Sequence, residues 1–136
     1  MMTKISHLVF GIRPENQAFY KDLMTFLGWQ QIYADHATIG LGNTDGASIW
    51  FGPQLKDVKN DYDGPGLNHI AIGVPAQTDV DLVCGYLKDK GIEALFETPR
   101  YRPEFSRSDA FTYYQVMFES PDRILFEVVY TGPKEA

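Results

Sequence analysis

A single cysteine, Cys84, occurs among the 136 residues, so no disulfide can form within the chain. That suits a reducing compartment, and a lone cysteine in an apolar-periodic segment reads as a small core residue rather than a nucleophile. Basic residues are short: 12 Lys and Arg stand against 18 Asp and Glu, a net charge of −6. A nucleic-acid partner, which needs a basic face to meet phosphates, is not expected. No apolar run reaches the roughly 20 residues of a bilayer-spanning helix, and no membrane partner is expected. Met1-Met2-Thr3-Lys4 leads into a strand pattern without the apolar stretch of an export signal, so the expected location is cytoplasmic. Apolar residues, at 44%, and aromatic ones, at 14%, are plentiful enough for one domain with a real core.

Histidine is scarce, at three, and two of the three sit in a repeat. Ile5-Ser6-His7-Leu8-Val9-Phe10-Gly11-Ile12 returns as Leu67-Asn68-His69-Ile70-Ala71-Ile72-Gly73-Val74. Each copy is followed by a helical pattern that stops at a glycine, 21 residues after His7 at Gly28 and 22 after His69 at Gly91. A period of half the chain means a duplicated module, not a solenoid. Two copies of one half-fold can face each other, and a residue repeated in both can meet its twin.

Residues 5–12 read as a strand, and Phe19, Leu23, Phe26 and Leu27 recur at helical spacing, with Pro14 in the first turn. Gln30–Ala34, Thr38–Leu41 and Ala47–Phe51 are short strands, which makes module one, residues 4–52, a βαβββ unit. Residues 53–66, rich in Pro, Gly, Asp and Lys, read as a solvated linker. In module two, residues 67–131, Thr78 or Asp79 is expected to cap a helix carrying Val80, Val83, Cys84 and Leu87. Ile92–Phe96, Thr112–Phe118 and Arg123–Tyr130 are its strands, and residues 97–109 an inserted loop. The fold class is α+β.

Strand alternation decides which side chains can meet. Leu8, Phe10 and Ile12 share one face of the first strand and His7 and Val9 the other; Ile70, Ile72 and Val74 are set likewise against His69 and Ala71. Glu127 is a lone carboxylate in an apolar strand, and its burial demands a partner. Two imidazoles and a carboxylate form a plausible site for a borderline divalent ion, with positions left open for water or substrate. The other reading is a hydrogen-bonded polar cluster in a pocket that binds no metal. His36, beside a turn signal, reads as a surface residue.

The two His-bearing strands, Phe19-Tyr20-Lys21-Asp22-Leu23 running to Leu27-Gly28-Trp29, and the closing Phe118-Glu119-Ser120-Pro121-Asp122-Arg123-Ile124-Leu125-Phe126-Glu127 resemble the vicinal oxygen chelate superfamily, the glyoxalase/bleomycin-resistance/dioxygenase group. The resemblance covers residues 4–131. It implies two βαβββ modules curling into a half-barrel around a divalent metal such as Zn, Mn, Fe or Ni. It places ligands at His7, His69 and Glu127, with Glu127 also able to carry a proton. Glyoxalase I-type relatives have a fourth ligand, a glutamate, where this chain aligns Trp50. Three ligands with an aromatic residue there look more like the fosfomycin-resistance thiol transferases or the extradiol dioxygenases. The Lys, Arg and Ser set with which the fosfomycin enzymes hold a phosphonate is not found. Arg123 stands where relatives often have glycine.

Trp50, Tyr101, Tyr113, Gln115 and Met117 are the candidate pocket for a small organic molecule. The loop 97–109 holds Arg100, Arg102 and Arg107 against Glu97, Glu104 and Asp109. With no net charge it reads as a flap or dimer contact. The expected activity is metal-dependent chemistry of the lyase, isomerase, thiol transferase or dioxygenase type. The alternative is a metal-free protein that sequesters a flat small molecule. A homodimer is expected in either case, because half-barrels expose sheet edges.

Overall fold

The computed structural model describes residues 1–135. The chain divides into two compact units, one ending at Lys59 and the next beginning at Asn60. The first unit runs β1 (His7–Ile12), a 3-10 turn (Pro14–Asn16), α1 (Gln17–Phe26), β2 (Gln30–Ala34), β3 (Ile39–Gly42) and β4 (Ser48–Pro53). Its sheet order is β1-β4-β3-β2, with β1 and β4 parallel and the other pairs antiparallel. The second unit runs β5 (Ile70–Gly73), α2 (Gln77–Asp89), β6 (Leu95–Tyr101), a 3-10 turn (Pro103–Phe105), β7 (Phe111–Glu119) and β8 (Leu125–Pro133). Its order, β5-β8-β7-β6, repeats the first, again with first and last strands parallel. The duplication seen in the sequence is thus a duplication of topology, two βαβββ modules.

In the first unit the even positions of β1 go inward: Phe10 and Ile12 are buried, while His7 and Val9 are exposed. Ile49 and Phe51 on β4 are buried in phase with them. Helix α1 turns Tyr20, Leu23 and Met24 inward, and the Tyr20 ring stacks on Phe51 at 4.3 Å. Phe51 stacks in turn on Phe10 at 5.5 Å. In the second unit α2 buries Val80, Val83 and Leu87, and β8 is buried from Leu125 to Tyr130. Strands covered on both faces lose the alternation that marks a half-exposed strand.

Four local expectations need correction. Helix α2 begins before Thr78: Ala76 is its N-cap, and Asp79, three residues on, accepts the Ala76 backbone N–H at 3.1 Å. The acidic residue therefore reaches back from inside the first turn and does not stand at the boundary. Strand β6 covers Leu95–Tyr101, not Ile92–Phe96, and includes the first five residues of the expected loop. It does so through a break in register between Leu95 and Arg100, where Phe96 and Glu97 have φ of 55° and 59°. Thr98 holds the break, its hydroxyl donating to the Leu95 carbonyl at 2.6 Å and accepting the Met117 N–H at 3.0 Å. Nor is the 53–66 segment wholly solvated. Tyr62 is buried with Met117 and Leu125, its hydroxyl bonded to Glu119 and its ring beneath the Arg123 guanidinium at 4.7 Å. Finally, Cys84 is only half-buried rather than a full core residue. Burial and then Asp81 push its thiol pKa up, which keeps it protonated and unreactive.

Two glycines give opposite expectations for one substitution. Gly28 ends α1 at φ +91°, where an added Cβ would touch nothing within 4 Å. Gly28→Ala thus isolates backbone strain and should cost about 1–2 kcal/mol. Gly85 lies inside α2 at an exposed position, again with nothing near its Cβ site. Gly85→Ala should stabilise by about 0.5–1 kcal/mol. Urea denaturation of both variants against wild type checks the two signs.

Candidate functional site

In the second unit a polar chain is built around Glu127, which is 1% exposed at the centre of β8. Its Oε1 accepts from the Tyr113 hydroxyl at 2.5 Å and from Gln115 Nε2 at 2.8 Å. Its Oε2 faces His69 Nε2 at 3.2 Å. These side chains share one sheet face because β7 and β8 are antiparallel in the register Gln115↔Val129, Met117↔Glu127. His69 enters from the residue just before β5, and the parallel register Ala71↔Glu127 brings it over the same face. Among the described residues no Lys or Arg meets the Glu127 carboxylate. Arg102 acts one step away: its guanidinium donates to Gln115 Oε1 at 3.2 Å. Since Arg can only donate, the Gln115 amide is turned so that its NH₂ points at Glu127. Burial, and then the hydrogen bond to the Glu127 carboxylate, push the Tyr113 hydroxyl well above the ordinary phenol range, so it remains a donor.

The protons on His69 follow from the same logic. Asn68 Nδ2 donates to the Tyr62 carbonyl at 2.9 Å, which turns Asn68 Oδ1 toward His69 Nδ1 at 2.7 Å. An amide oxygen only accepts, so Nδ1 carries the hydrogen. The other nitrogen, Nε2, then faces a carboxylate oxygen. A bare lone pair there would oppose another lone pair. The arrangement is satisfied by positive charge on or beside Nε2, either a proton or a metal cation.

In the first unit His7 opens β1 with its Nδ1 3.3 Å from the Ser6 hydroxyl. The register His7↔Ser48 and Val9↔Trp50 puts these four on one face, opposite buried Ile49 and Phe51. They line an open groove of about 870 Å³ with Thr38 and Leu55.

Of the candidate residues, His69, Glu127, Tyr113, Gln115 and Met117 share one face of the second sheet, and His7 and Trp50 one face of the first. Tyr101 stands apart from that pocket. It lies on the α2 side, its hydroxyl accepting from Gln77 and its ring 4.6 Å from Tyr114, which donates to Asp81 of α2. His36 is exposed, as expected. Among the described residues no three His, Cys, Asp or Glu side chains form a group able to hold a metal ion. Asn68 and Arg102 were not foreseen. A signal for Asn68 existed: a small polar residue precedes each repeated histidine, and in both units it touches Nδ1.

No protein-family model matches the chain, and no curated protein matches it. Solved structures do. A candidate glyoxalase from Bacillus halodurans superposes with a TM-score of 0.79 at 22% identity, covering 95% of this chain and 96% of that one. A glyoxalase/dioxygenase from Nostoc punctiforme gives 0.69 at 12%, covering 97% and 92%. The fosfomycin resistance protein FosX of Listeria monocytogenes, in complex with Mn(II) and sulfate, gives 0.66 at 21%, covering 94% and 90%. The likeness is one of fold: the chain has the architecture of the glyoxalase/bleomycin-resistance/dioxygenase structures, the group that the sequence resembles.

Tyr113→Phe removes one of the donors to Glu127 without changing the ring. A hydrogen bond to a charged acceptor is worth about 1.5–3 kcal/mol, and the variant should lose that much. Denaturant unfolding of the variant near neutral pH measures it; a loss below a few tenths would show that Glu127 does not depend on this donor.

Proposed function

We propose that this protein is a small divalent-metal-dependent enzyme that chelates adjacent oxygens of a small organic substrate. The proposed ligands are His69, Glu127 and, as third donor, His7. The observation that carries the reading is His69: its Nδ1 hydrogen is committed to Asn68, and its Nε2 is aimed at a buried carboxylate that has no Lys or Arg. One imidazole nitrogen and one carboxylate oxygen converging in this way suit a borderline divalent ion, and the hydrogen-bonded neighbour on Nδ1 is the support such a ligand histidine takes. Mn(II) in the FosX structure is consistent with a metal of this class.

When bound, the ion would supply Lewis-acid stabilisation of negative charge on substrate oxygens. The chain's own part is positional. Tyr113 and Gln115 occupy Glu127 Oε1 and leave Oε2 as the oxygen turned toward His69. Arg102 fixes the sense of the Gln115 amide, and the Tyr62 carbonyl that of Asn68. Glu127 is proposed as the proton carrier as well as a ligand. A second reading, a metal-free protein that sequesters a small molecule, is favoured by the wide and mostly apolar groove of the first unit. A homodimer in the cytoplasm belongs to both readings. Its support is β2, a sheet edge exposed along its whole length, with Ile32 57% and Tyr33 46% exposed.

Calorimetric titration of metal-stripped protein with Mn(II) and Zn(II) separates the readings. The expected result is about one site per chain, lost in His69→Ala and unchanged in His36→Ala. Asn68→Ala should weaken it by about 10- to 100-fold, the range for a residue that orients a ligand. No binding by wild type, or equal loss in His36→Ala, would leave the metal-free reading standing. Sedimentation should give a dimer mass at tens of micromolar, and a monomer would remove the assembly from the proposal.

A further inference from the structure

The groove of the first unit has a floor of unusual construction. Gly40 lies opposite Trp50 in the β3–β4 register, and a Cβ on Gly40 would fall 2.6 to 2.8 Å from three carbons of the indole. The ring therefore lies down across the neighbouring strand, in space that only glycine leaves open. Its edge is fixed as well: Nε1–H donates to Ser48 Oγ at 2.9 Å on its own strand. Tyr33 flanks it at 5.8 Å from the adjoining edge strand. With the N–H committed, the polar handle of the indole is spent within the protein, and what it offers the groove is its π face. Around it stand Val9, Pro53 and Leu55, with the hydroxyl of Thr38 and the imidazole of His7. Among the described residues no Asp, Glu, Lys or Arg lines the groove.

We infer that this groove binds an uncharged planar aromatic group stacked on Trp50, with Gly40 as the residue that determines this specificity. A charged group would lose its hydration here and find no countercharge. A flat ring loses little, because the platform is already ordered and offset stacking needs only an open face. The inference rests on the small-molecule part of the function proposed above and not on the metal. It names the class of ligand, or of the non-reacting part of a substrate, that the groove takes.

The test uses the uncharged dye N-phenyl-1-naphthylamine with full-length protein in excess chelator, so that failure of the metal site cannot affect it. The chain has two tryptophans, and Trp29→Phe leaves Trp50 as the only indole reporter. The expected result is saturable dye binding with matching quenching of Trp50 emission. Trp50→Leu should weaken binding about 3- to 10-fold, the range for a lost aromatic pair. Gly40→Ala, which keeps the tryptophan but forces it off the strand, should weaken it comparably, with circular dichroism unchanged. The charged analogue 1-naphthalenesulfonate should bind far less well. Equal dye affinity in wild type and Trp50→Leu, binding without quenching of Trp50, or dye displaced as the protein self-associates would each overturn the inference. The last outcome would assign the groove to a second copy of the chain.

Discussion

The second unit depends on one buried carboxylate. Glu127 sits in the middle of β8, between Phe126 and Val128, both fully buried. Leaving a charge there without compensation would cost several kcal/mol, more than most of the surrounding contacts return. Three side chains from two other elements answer it. Tyr113 and Gln115 come from β7 by antiparallel register, and His69 comes from the residue before β5 by parallel register. The outer residues follow as a consequence. Gln115 is useful to Glu127 only when its amide is turned the right way, which Arg102 ensures. His69 is useful only in the form with hydrogen on Nδ1, which Asn68 ensures. Asn68 in turn is held by the Tyr62 carbonyl, and Tyr62 is anchored by burial between Met117 and Leu125. An apolar contact in a segment of loop composition thus sets the direction of a hydrogen bond two residues further in.

Much of this was legible in the sequence because it depended on period. The repeat around His7 and His69 placed two equivalent first strands, and alternation put Leu8, Phe10 and Ile12 against His7 and Val9. The pocket candidates Tyr113, Gln115 and Met117 fall on the face of Glu127 through the β7–β8 register. What escaped had no periodic signal. Phe96 and Glu97 adopt positive φ without being glycine, so nothing in their identity announces the register break that lets β6 continue to Tyr101. That break also reverses the parity count across the strand, which is why Tyr101 arrives on the α2 face rather than with Tyr113. Tyr62 escaped because its neighbours, Asp61, Asp63 and Gly64, dominate a reading by composition. Arg123 is the opposite case. It was marked as standing where relatives often have glycine, and its φ of 57° is the conformation glycine would supply. Its side chain compensates by covering Tyr62 and bonding the Asn60 carbonyl at 3.3 Å.

The first unit carries the same topology with different chemistry on its open face. Where the second unit sets Tyr113, Gln115 and Glu127 on its last two strands, the first sets Gly40, Ser48 and Trp50. The histidine is common to both, and so is the polar residue before it. The weaker contact lies in the first unit, where Ser6 stands 3.3 Å from His7 Nδ1 and a hydroxyl can either give or take the hydrogen. His7 is therefore less committed to one tautomer than His69.

Trp50 makes the asymmetry between the units chemical rather than merely geometric. An indole cannot donate a lone pair to a cation, since its N–H is a donor only, and here that N–H is already given to Ser48. Where the parallel register of the second unit sets Glu127 opposite Ala71, that of the first sets Trp50 opposite Val9, so the first face carries a broad polarizable surface in place of a negative charge. The groove of the first unit favours an uncharged ring over a charged group, which would find no countercharge there. Gly40 is the residue that makes room for that surface, since a Cβ there would fall within 2.8 Å of the indole.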